Sequence, residues 1–171
     1  MIHAIPHTRA SGLLLALLTL AACARDAEAA QRARLEVWFA LGETVEFVAR
    51  SDCAAGLYRV VDGRVRAAMP LVASAPEMAR ALAERGRAAW GARGQVPDAA
   101  IVAMANFDRP TGMAMRRAGL EARACMGDAT ASAFRHALMA PGAYLGWDGA
   151  NDALMLMDPK SGLLIVAMGA G

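Results

Sequence analysis

Few residues in this chain are suited to chemistry. It holds three histidines and three cysteines. His3 and His7 stand near the start, so the rest of the chain carries a single imidazole, His136. A metal centre built from several imidazoles cannot form within that part of one chain. A serine–histidine triad would have to be built around His136 itself. Residues 128–140 read as a helix with Ala131, Phe134 and Leu138 on one face. At about 100° per residue, His136 falls on the other side, beside Ser132. This placement predicts a solvated surface histidine. The remaining nucleophile–base pair, Cys53 with His136, lacks any CxxC spacing to support it.

Three softer signals complete the inventory. The eleven methionines include Met113, Met115, Met155 and Met157, and thioethers are ligands for Cu(I). Methionine also fills irregular cores, which is the expected role in a chain this poor in aromatic residues. Asp148, Asn151 and Asp152 form a short acidic loop, but they lack the alternate spacing of an EF-hand and read as a strand connection. No Gly-x-Ser-x-Gly elbow, Ser-x-x-Lys, phosphate-binding glycine loop or His-Glu-x-x-His is present. No catalytic residue, metal ligand or cofactor is therefore assigned.

The first residues carry Arg9 and then an uncharged run over positions 12–22, ending in Leu20-Ala21-Ala22-Cys23. A basic start, a short apolar stretch and small residues have the layout of a secretory signal. The run covers about half of the roughly 20 apolar residues that a spanning helix needs. Its end resembles the lipobox of bacterial lipoproteins. The resemblance covers four residues. It implies that Cys23 becomes a diacylglycerol thioether, that residues 1–22 are removed and that the new amine is acylated. Several acyl chains, at about 0.8 kcal/mol per buried methylene, hold a protein stably at a membrane. In such lipoproteins aspartate after the cysteine tends to mark the inner membrane, so Ala24 favours the outer one, with the domain facing the periplasm.

Export bears on the other two cysteines. In an oxidising compartment a small domain usually pairs its thiols, so Cys53 and Cys125 are expected to form a disulfide. That bond would consume the Cys53 nucleophile. The formal net charge of +2 falls to +1 once Arg9 leaves with the signal. Without a lysine–arginine cluster, this leaves no electrostatic footprint for nucleic acid.

The elements that must carry these residues read as follows. Residues 23–40 form a lipidated N-terminus and helical stalk, and residues 41–171 a single globular domain. Residues 44–50 alternate as a half-buried strand. Residues 57–61 and 64–68 flank Asp62-Gly63, which predicts a two-residue hairpin. Ser74-Ala75-Pro76-Glu77 has capping-box spacing and opens a helix that ends near Gly86. Residues 87–90 are expected as a short strand. Helices follow over 98–106 and 110–118, the second stopped by Gly119. A further helix begins near Asp128, expected as its N-cap. Residues 143–147, 153–157 and 163–168 return to strand. The last two are apolar on both faces, which places them inside the sheet. The fold class expected is α+β, a single small domain with a mainly antiparallel sheet and about four helices packed on it.

The expected function is that of a membrane-anchored envelope lipoprotein with a non-enzymatic interaction or assembly role. Its partners would be membrane lipid and another envelope protein. The alternatives are a carrier of a small apolar ligand or lipid and, behind it, a hydrolase without a recognisable motif. A large pocket lined by leucine and methionine would favour the carrier. A filled core beneath an exposed apolar patch would favour the interaction protein.

Overall fold

The computed structural model describes residues 24–171; Cys23 and the signal lie outside the described residues. The element order is α1 (Glu28–Leu35), β1 (Leu41–Ala49), β2 (Ala54–Val60), β3 (Leu71–Val72), α2 (Ala75–Arg85) and β4 (Arg87–Trp90). Then follow α3 (Pro97–Phe107), α4 (Arg109–Glu121), a 3-10 turn (Ala122–Cys125) and α5 (Asp128–Met139). β5 (Tyr144–Asp148), β6 (Ala153–Asp158) and β7 (Leu163–Met168) complete the chain. The strands make one seven-stranded sheet in the order β1-β2-β7-β6-β5-β4-β3. Every neighbouring pair is antiparallel except β3 and β4. The fold is α+β, as expected. Among the described residues no helix is long and apolar enough to cross a membrane.

The uncharged pattern of the last two strands is explained by what covers them. β7 and β6 sit at the centre of the sheet, and each of their side chains meets protein on one face or the other. On the first face Leu154, Leu156 and Ile165 pack beneath Met78, Ile101, Met104, Met115 and Phe134 of helices α2 to α5. On the second face Met155, Met157, Leu164, Val166 and Met168 pack against Leu35, Trp38, Phe39 and Met69. At about 25 cal/mol per Å² of apolar surface removed from water, two such faces drive the fold.

The second cover corrects the expected stalk. Helix α1 does not project from the domain; it lies on the sheet with the turn after it, and Leu35, Trp38 and Phe39 are all buried. A sheet apolar on both faces needs two layers over it, and residues 24–39 supply part of the second. The domain therefore begins before residue 41.

The expected Asp62-Gly63 hairpin does not form. Strand β2 already has β1 on one side and β7 on the other, so residues 64–68 have no edge to pair with. Gly63 does not adopt positive φ, which the tight hairpin turn requires. Residues 61–69 instead cross the second face, with Val61 N–H donating to the Ala40 carbonyl (2.8 Å) and Arg66 N–H to that of Trp38 (2.8 Å). Met69 is buried beneath this loop.

Helix ends show where local signals held and where they failed. Ser74 caps α2, accepting from Glu77 N–H, while Pro76 occupies the first turn and Gly86 closes the helix at φ 70°. Gly119 does not stop α4 but lies inside it, because its bare Cα lets Phe134 and Leu154 approach. A Cβ there would stand 3.1 Å from Phe134 and 3.3 Å from Leu154. The N-cap of α5 is Gly127 rather than Asp128. Its missing side-chain acceptor is replaced from β1: the Glu46 carboxylate accepts from Thr130 N–H at 3.0 Å and from the Thr130 hydroxyl. An acidic group also suits the positive end of the helix dipole.

Candidate functional site

Three places gather polar or reactive side chains. The first surrounds His136. The side chain is 69% exposed, as its helical position implied, and Nε2 lies 3.6 Å from Oδ2 of Asp158, which is buried. Both Asp158 oxygens serve the turn between β6 and β7, accepting from Lys160 N–H (3.0 Å) and Ser161 N–H (3.2 Å). At 3.6 Å the imidazole contact is too long for a hydrogen bond. Ser161 donates its hydroxyl to the Asp158 carbonyl rather than to the imidazole. His136, Ser132, Ser161 and Arg59 line an open concavity of about 470 Å³. A base is therefore present beside a carboxylate, but no hydroxyl is aligned on it for nucleophilic attack.

The second gathering involves the cysteines. Cys53 and Cys125 are bonded to each other, with their Cα atoms 5.9 Å apart. The bond joins the residue just before β2 to the end of the 3-10 turn, and both cysteines are buried with Ala55. The thiol that sequence placed as an alternative nucleophile is consumed.

The third is a polar network that sequence reading missed. Tyr58 donates its hydroxyl to Gln31 Oε1 (2.7 Å), and Gln31 Nε2 donates to Asp26 Oδ2 (3.0 Å) and contacts Met168 Sδ (3.5 Å). Asp26 in turn pairs with Arg34. Burial, reinforced by the charges of Glu28 and Asp26, pushes the Tyr58 phenol well above its ordinary value of 10.0. Gln31 and Tyr58 are fully enclosed, so this network fastens α1 to the sheet and faces no ligand. Its members run from Asp26 to Met168, so no short window of sequence reveals it.

The softer candidates fall into structural places. Met155 and Met157 are buried in the second core. Met115 is buried in the first, whereas Met113 is 44% exposed, so that pair is split. The Asp148 carboxylate accepts from Ala150 N–H (3.2 Å) and the Asn151 amide (2.6 Å), closing the loop to β6. Among the described residues no three His, Cys, Asp or Glu side chains cluster to hold a metal ion.

No family model, curated protein or solved structure matches this chain. The surface itself carries the remaining information. Between α3, α4 and α5 runs an open groove of about 190 Å³, floored by Ile101, Met115, Phe134 and Leu154. Leu120, 62% exposed, stands at its edge with Asp98, Arg116 and Arg123. Val102, Phe107 and Met113 are other large apolar side chains left exposed on α3 and α4.

Proposed function

We propose that this is a lipid-anchored envelope protein whose domain works by binding another protein rather than by catalysis. The anchor is Cys23, on the lipobox resemblance, with Ala24 favouring the outer membrane and a domain facing the periplasm. The observation that carries the binding role is the apolar groove edged by Leu120, open above the core beneath α3, α4 and α5. A carrier reading is less favoured: small-molecule pockets are typically enclosed and mostly apolar, whereas the groove is small and open and the larger concavity of about 470 Å³ is open and holds Arg59, His136, Ser132 and Ser161 in its lining. Its partner would be an apolar segment with acidic flanks, matching Arg116 and Arg123 at the rim.

Two measurements test the reading. A clickable fatty acid fed to cells should label the wild type and not Cys23→Ser; equal labelling would remove the anchor. A photo-cross-linking amino acid placed at Arg116 should trap a discrete protein, and one at Arg80 on the exposed side of α2 should not. Leu120→Asp should abolish the adduct while leaving the circular dichroism unchanged. Without a groove-specific adduct the binding role fails.

A further inference from the structure

Resting on the lipid-anchor reading, we propose that this domain has no spacer and is held flush against the bilayer, with one chosen end of its sheet facing the headgroups. Arg25 stands two residues from Cys23. Its backbone N–H donates to the Arg50 carbonyl (2.5 Å). Its side chain donates from Nε to the Gly169 carbonyl (2.7 Å) and from Nη2 to that of Asn151 (2.8 Å). These three acceptors come from three places in the chain, all at one end of the sheet. The register fixes that end: Ala49 pairs with Ala54, Ala54 and Ala153 with Met168, and Ala153 with Asp148. Arg50 follows β1, Gly169 follows β7 and Asn151 lies in the turn before β6.

Two residues span at most about 7 Å of chain, so a lipidated Cys23 cannot lie far from this end. The same end is stapled by Cys53–Cys125, and α1 continues directly from Arg25 into the body of the protein. Around it stand the exposed side chains of Arg50 and Arg117, together with the carboxylates of Glu121 and Asp152. Arginine fits phosphate headgroups. The opposite end carries Asp158, His136 and Lys160. It lies one strand length farther out, on the order of 20 Å for six residues.

The test uses the purified, lipidated protein in vesicles of phosphatidylethanolamine and phosphatidylglycerol doped with a headgroup nitroxide. A fluorescent amino acid is encoded at Ser51, near the pinned end, or at Lys160, at the far end. Quenching at position 51 should exceed that at position 160 several-fold. Inserting a Gly–Ser linker of about twelve residues after Ala24, which reaches roughly 20 Å, should erase the difference. Arg25→Ala should reduce it. Equal quenching at the two positions, stronger quenching at 160, or a difference that survives the linker would each overturn the orientation. The intact mass, taken first, separates the two ideas: a protein without acyl chains removes the anchor reading, whereas an acylated protein with equal quenching removes only the orientation.

Discussion

Replacing Cys53 and Cys125 together by alanine should cost this domain about 4 kcal/mol. The bond closes a sequence separation of 72 residues, and in the chain-entropy treatment a loop of that size restricts the unfolded chain by about that amount. The alanine pair is preferable to serine, because both positions are buried with Ala55 and a hydroxyl there would add its own penalty. The enclosed loop contains β2, β3, β4 and α2 to α4, so the bond ties the sheet to the helix layer rather than fastening a local turn. In a domain of this size each kcal/mol moves the midpoint of thermal unfolding by about 2–4 °C. The variant should therefore melt on the order of 10 °C below the wild type. Reductant should shift the wild type by a similar amount and leave the variant unmoved. The assay is guanidinium unfolding followed by circular dichroism, with thiols titrated in the unfolded, non-reduced protein. Two free thiols in that titration, or a loss below about 1 kcal/mol, would refute the reasoning.

Three further outcomes are expected. Ile165→Ala, at a side chain 1% exposed between β2 and β6, should destabilise by about 2–5 kcal/mol in denaturant unfolding; less than about 1 kcal/mol would mean that helices α4 and α5 do not close over it. Glu46→Ala, which removes the acceptor at the start of α5, should cost about 1–2 kcal/mol and speed amide exchange in its first turn; unchanged exchange at Thr130 would show that Glu46 does not cap the helix. The Tyr58 phenol binds its proton more tightly in the folded state than in the unfolded one. Its contribution is therefore complete below pH 10.0 and declines as pH rises above it. Alkaline unfolding of wild type against Tyr58→Phe should show a steeper decline for the wild type, and parallel curves would dispose of the idea.

How much of this was legible in the sequence depended on whether the signal was local. The capped start and glycine stop of α2 are decided by a few adjacent residues, and they were read correctly. The interior position of β6 and β7 followed from a continuous apolar run, since only a sheet covered on both faces can bury it. Compartment and count, rather than spacing, point to the disulfide. The Asp62-Gly63 hairpin misled because its turn chemistry is common, while whether strand β2 has a free edge is settled by β1 and β7. Gly119 misled for a similar reason: the approach of Phe134, not helix termination, requires a glycine there. Glu46 capping α5 and Tyr58 bonding to Gln31 join residues far apart in sequence, so no short window contains either. The apolar groove was also out of reach, because it is a gap between three helices and belongs to none of their individual patterns.

The placement of side chains in space also sharpens the functional division. Every group that holds Arg25 lies at one end of the strands, and that end is further fixed by the disulfide. His136 and Asp158 lie at the other end, and the open concavity beside them is flanked by Arg59 and Ser161. The apolar groove lies between α3, α4 and α5, with Leu120 and Arg123 toward the pinned end. Under the proposed anchoring, a partner reaching the groove would approach parallel to the bilayer, and the His136 concavity would face away from it. A bound partner covering Leu120 would then sit close to the headgroups as well. For a partner that is itself membrane-bound, binding to the groove should consequently be stronger for the anchored protein on vesicles than for a soluble Cys23→Ser form, because the surface holds both molecules in the same thin layer. Equal affinity in the two formats would place the partner's approach on another face.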